Sequence, residues 1–162
     1  MNKIRMIALA ACMAATLDAS AQEQEIRLFS HRGGRMEHDE NTLSAFQASY
    51  DAGYRGFETD IRMTRDGALV ITHDSSLERT TDGTGTVEEK TEAEIRQLAT
   101  KQGNKMMFLD ELLEFLEGKE GLYVEFEMKT KPVELYPEER LHAYCDKLYD
   151  AVMAVKPADA VF

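Results

Sequence analysis

The chain has 162 residues, 43% of them hydrophobic, and a formal net charge of −11. That length suits one domain, and that apolar content excludes global disorder. The acidic balance excludes a nucleic-acid partner, because phosphate backbones demand clustered Lys and Arg.

In chain order, residues 1–21 carry the three parts of a secretory signal peptide. Lys3 and Arg5 give the positive start, residues 6–17 the apolar stretch, and Ala19-Ser20-Ala21 the small-residue cleavage site. The apolar run is too short to span a bilayer. The mature protein is therefore expected to be exported, periplasmic or extracellular, with no stable membrane span. Leu9-Ala10-Ala11-Cys12 also resembles a lipobox, which keeps open a lipoprotein anchored through Cys12. Cleavage after Ala21 removes Cys12 and leaves Cys145 with no partner, so no disulfide framework is expected. Cys145 shares a helical stripe with Leu141, Leu148 and Val152, which predicts a buried core thiol.

Residues 26–30 alternate and lead into His31, which predicts a strand with chemistry at its C-terminal end. Asn41 or Thr42 then caps a helix with the stripe Leu43, Phe46 and Tyr50, closed by Gly53. A second strand follows at about residues 56–63. Asp66-Gly67 is a hairpin turn, so residues 69–73 must return antiparallel to that strand. Parallel neighbours need a crossover instead. Residues 66 to about 105 are therefore an insertion after the second strand, with its own short helix announced by the capping box of Thr91 and Glu94. Leu109, Leu112, Leu113 and Leu116 mark the next helix, residues 122–129 a third strand, residues 141–155 a third helix, and residues 160–162 the opening of a fourth strand. Repeated strand-helix units give a parallel α/β architecture.

Glu58 and Asp60 lie two apart on a strand and leave the same face. Two bare carboxylates buried side by side are costly, because like charges oppose each other's ionisation, and a divalent cation removes that cost. Glu125, Glu127 and Lys129 share the same parity on the third strand. Oxygen-only ligands favour Ca²⁺ or Mg²⁺ over zinc. The same spacing also fits a solvated strand face paired with basic neighbours, and His31 or His73 alone fits a structural role. After His31 come Arg32 and two glycines, which let backbone approach a ligand, and an Arg fork matches a phosphate. His38 reads as a loop residue and Asp82-Gly83-Thr84-Gly85 as a turn.

The ordered blocks H-R-G, E-N-T-L-S-A-F, E-x-D, T-x-D-G, V-x-x-H-D, R-T-T-D-G and E-x-K resemble the glycerophosphodiester phosphodiesterase family over about residues 28–130. The resemblance implies a TIM (β/α)₈ barrel with an insertion after the second strand. It implies His31 and His73 as acid and base, Glu58, Asp60 and Glu127 as ligands of one Ca²⁺ or Mg²⁺, and Arg32 and Lys129 at the substrate phosphate. The activity it implies is metal-dependent hydrolysis of a small-molecule glycerophosphodiester to an alcohol and glycerol 3-phosphate. A related lyase forming a cyclic phosphate, or an inactive remnant that binds metal or phosphate, are the alternatives. Asp39 stands where the family commonly has proline. A complete barrel takes around 250 residues, so residues 22–162 are expected to hold about the N-terminal half and to be poorly active alone.

Overall fold

The computed structural model describes residues 27–155 and 159–161. The predicted signal peptide and Phe162 lie outside them. Four strands run parallel in the order β1 (Phe29–His31), β2 (Gly56–Met63), β4 (Tyr123–Met128) and β5 (Asp159–Val161). Helix α1 (Leu43–Asp51) joins β1 to β2, α3 (Leu109–Leu116) precedes β4, and α4 (Glu138–Val155) joins β4 to β5. This is an arc of a (β/α) barrel. Strand β3 (Leu69–Ile71) breaks the pattern, pairing antiparallel with Ile61–Met63 of β2, beyond the last residue that β1 reaches. The Asp66-Gly67 turn enforces that reversal.

Alternation along the strands separates core from site. Phe57 and Ile61 of β2 and Val124 and Phe126 of β4 are fully buried in one apolar cluster with Phe46 of α1 and Leu112 of α3. Glu58, Asp60, Glu125 and Glu127 occupy the opposite parity. The segment between β2 and α3 has a second cluster of its own, with Val70, Leu77, Val87, Ile95, Met106 and Phe108. Its short helix α2 (Glu92–Ile95) begins with the predicted capping box, Thr91 Oγ1 accepting from Glu94 N and Glu94 accepting from Thr91 N.

Two expectations for helix faces are corrected. Thr42 caps α1, but Leu43 is exposed and the buried face is Ala45, Phe46 and Ser49. Small residues are needed there because the loop after β1 lies directly on the helix. A Cβ at Gly33, itself at φ +74°, would stand 2.9 Å from Cβ of Ala45, and Ser49 Oγ donates to Gly33 O at 3.0 Å. On α4 the buried stripe is Tyr144, Leu148 and Val152, and Cys145 is exposed. Tyr144 sets that face by donating from its hydroxyl to Ile61 O at 2.5 Å, which turns the neighbouring thiol outward. No helix among the described residues is long and apolar enough to cross a membrane.

Candidate active site

The strand register assembles the site. Glu58 pairs with Glu125 and Asp60 with Glu127 across β2 and β4, and His31 pairs with Glu58 across β1 and β2. Glu58, Asp60 and Glu127 each present an oxygen, and these lie within 4.8 Å of one another. His31 Nε2 stands 3.5 Å from Glu58 Oε2. Glu125 does not join the cluster. Residues at the C-terminal ends of parallel strands are where a barrel of this kind carries its chemistry.

The loop after β1 wraps over these carboxylates in a strained backbone. Arg32 at φ 54° and Asn41 at φ 57° are the two non-glycine residues with left-handed backbone among the described residues, and both touch the cluster. Arg32 N donates to Glu58 Oε2 at 3.0 Å. The Arg32 guanidinium is buried, with Nε 3.1 Å from Asp60 Oδ2 and Nη1 3.2 Å from Glu40 Oε1. Asn41 Nδ2 donates to Asp60 Oδ2 at 2.9 Å. Lys129 Nζ lies 3.1 Å from Asp60 Oδ1 and 2.5 Å from Glu127 Oε1. Both cations predicted for a phosphate thus lean on Asp60.

Two carboxylate oxygens of the cluster are buried without a hydrogen bond, Asp60 Oδ1, which meets only the Lys129 ammonium as an ion pair, and Glu58 Oε1. For Glu58 Oε1 that state costs about 1–3 kcal/mol, and more for a charged group. Burial first, and the charge of Asp60 second, push the Glu58 carboxyl up to about 7. An all-oxygen donor set with an orphaned buried oxygen fits a hard divalent cation. Burial, helped by the charges of Arg32 and Arg35, holds the His31 imidazole below its ordinary value.

His73 follows β3 in the insertion, and its Nδ1 lies 2.6 Å from Asp74 Oδ1. Burial opposes the charge on Asp74, but hydrogen bonds from Arg79 and His73 outweigh it and lower its carboxyl to about 2. An ionised carboxylate only accepts, so Nδ1 carries the proton of this hydrogen bond. Arg79 Nε donates to Asp74 Oδ2. His31 also lines a cavity of about 410 Å³ beside β1 with Phe29, Met36 and Tyr54. None of the three carboxylates borders it, so it is separate from the cluster.

All seven predicted site residues therefore fall at one end of the sheet or on the insertion beside it. Asn41, Glu40, Asp74 and Arg79 are the members to which sequence reasoning assigns no part in the site, Asn41 reading there only as a candidate helix cap. Three of them stood in the quoted E-N-T and R-T-T-D-G blocks, and Asp74 follows His73 directly. Their partners are up to 39 positions away, which no local pattern shows.

A barrel arc with two imidazoles and three carboxylates near its strand ends has the groups of a phosphoryl-transfer site, and the comparisons with known proteins give its family. The family model described as the glycerophosphoryl diester phosphodiesterase family matches residues 31–159, and the chain belongs to that family. It is 37% identical over 123 residues to a glycerophosphodiester phosphodiesterase of Caldanaerobacter subterraneus subsp. tengcongensis, covering 70% of this chain and 50% of that protein. Among solved structures it resembles a glycerophosphoryl diester phosphodiesterase from Parabacteroides distasonis, with TM-score 0.65 at 29% identity, covering 85% of this chain and 47% of the other. It also resembles an Oleispira antarctica phosphodiesterase in complex with the product sn-glycerol-3-phosphate, with TM-score 0.68 at 26% identity, covering 83% and 55%. The chain spans about half the length of the curated relatives it matches, between 45% and 56% for the first three.

Proposed function

We propose that this site hydrolyses glycerophosphodiesters to an alcohol and glycerol 3-phosphate, with Glu58, Asp60 and Glu127 holding one Ca²⁺ or Mg²⁺. The observation that carries the reading is the convergence of those three carboxylates from two adjacent parallel strands, with His31 against Glu58. The family match and the product seen in the Oleispira relative support it. When bound, the cation supplies Lewis-acid polarisation of a phosphoryl oxygen and offsets its charge.

The chain's own groups do the rest. One of His31 and His73 takes the proton of the attacking water as its oxygen bonds to phosphorus. The other gives a proton to the alcohol oxygen as its bond to phosphorus breaks. Asp74 keeps the proton of His73 on Nδ1 so that Nε2 does this work. Arg32 and Lys129 place positive charge where the phosphoryl oxygens gain negative charge. Asn41 and Glu40 hold Asp60 and Arg32 in register.

The test is a ³¹P spectrum of glycerophosphocholine incubated with the protein and Ca²⁺ or Mg²⁺. Glycerol 3-phosphate should form, and chelator should stop it. A cyclic phosphate would make the site a lyase, and product formed in excess chelator would refute the metal assignment. We further propose that the chain is exported with cleavage after Ala21, supported by the three-part N-terminus. Sequencing of the secreted form should then begin at Gln22, whereas a lipid-modified Cys12 at the start would make it a lipoprotein.

A further inference from the structure

We infer that Arg79 is a positioning residue that couples the two sides of the site, orienting His73 through Asp74 and Arg32 through Glu40. This rests on the roles proposed above for His73 and Arg32. Arg79 rises from a pinned turn. Leu77 and Thr81 on either side are buried, and Thr81 N and Oγ1 both donate to Leu77 O, at 3.0 and 2.7 Å. From that turn every nitrogen of the guanidinium is engaged. Nη2 and Nη1 grip the two oxygens of Glu40 at 2.6 and 3.1 Å, and Nε meets Asp74 Oδ2. Both carboxylates then reach the site, Asp74 by its second oxygen and Glu40 by the same Oε1 that Arg79 Nη2 holds. Asp74 Oδ1 holds His73 Nδ1, and Glu40 Oε1 also accepts from Arg32 Nη1.

The result is one continuous chain of hydrogen bonds and ion pairs, from His73 through Asp74, Arg79, Glu40 and Arg32 to Asp60. It ties the insertion to the loop after β1, two segments that share no strand pairing. An isolated exposed ion pair contributes little to stability, and the Arg79 side chain is 48% exposed. Its two-pronged grip on one carboxylate, with a third contact on another, fixes geometry instead. A lysine ammonium has no planar fork with which to make that set.

The experiment uses the full chain labelled with ¹⁵N-histidine, with the His73 imidazole assigned through His73→Gln and its tautomer read from long-range ¹H–¹⁵N correlations. The wild-type protein should show His73 with its proton on Nδ1. Arg79→Gln should shift it to a mixture of tautomers. Glu40→Gln should do the same, although Glu40 does not touch His73 or Asp74, and it removes charge without removing bulk. Movement of the His73 signal in both variants is a readout that a local structural role would not give. An unchanged His73 tautomer in either folded variant overturns the inference. Where the protein turns over glycerophosphocholine, Arg79→Gln should lower kcat by about 10²-fold, the scale of roughly 1 Å of misplacement, and leave cation affinity unchanged. Absence of wild-type turnover would sink the hydrolase reading alone, since the tautomer result decides the role of Arg79 without it.

Discussion

Asp60 is the most heavily partnered carboxylate of the site, with Asn41 and Arg32 at Oδ2 and Lys129 at Oδ1. Fully buried and held from three sides, it would be the fixed ligand of the proposed cation. Glu58 keeps one free oxygen, and Glu127 is the exposed member. The two imidazoles stand outside this set of ligands, so their removal should separate proton transfer from cation binding. His31→Ala and His73→Ala should each lower turnover by about 10²–10⁴-fold, with the cation titration unchanged. Retention of most of the rate in either variant would remove that histidine from the mechanism. Strand parity made Glu58, Asp60 and Glu127 legible in the sequence, because side-chain direction on a strand is fixed by a period of two. The work of Asn41 was not legible, since it depends on a left-handed backbone that brings its amide to Asp60 across 19 positions.

At the scale of elements, a second buried polar group holds the insertion to the barrel. Arg62 of β2 donates from Nε to His73 O at 2.9 Å and from Nη1 to Glu88 Oε1 at 2.7 Å and Lys131 O at 2.8 Å. Ser75 and Tyr136 donate to Glu88 at 2.6 and 2.7 Å. Burial works against the charge on Glu88, and these bonds outweigh it, so its carboxyl titrates below its ordinary value. Glu88→Gln strands a buried guanidinium and should cost about 3–5 kcal/mol in a denaturant melt. Because the folded value is depressed, this contribution is full above the unfolded Glu value of about 4.3. It is lost as pH falls through the folded value. The gap between wild-type and variant melts should therefore hold steady at neutral pH and narrow in acid. A gap that widens in acid would contradict the pairing. The hairpin turn and the capping box announced themselves locally, because their signals lie within a few residues. The faces of α1 and α4 did not, since Gly33 and the Tyr144 hydroxyl decide them through contacts distant in sequence.

Across the whole molecule, β1 and β5 each pair with one parallel strand among the described residues, where a closed barrel gives every strand two. Open edges present unpaired backbone groups to other chains. The 162 residues expressed by themselves should self-associate on gel filtration at rising concentration and turn over glycerophosphocholine more slowly than relatives of twice their span. A concentration-independent monomer with family-level turnover would show that further strands are not needed. The central claim is that Glu58, Asp60 and Glu127 form a cation site, and calorimetric titration with Ca²⁺ and with Mg²⁺ tests it most directly. The wild-type protein should bind one ion per chain, and Glu127→Gln, an isosteric change at the exposed ligand, should weaken that binding while leaving the melt intact. No binding to the wild-type protein, or an identical isotherm for the variant, would contradict it.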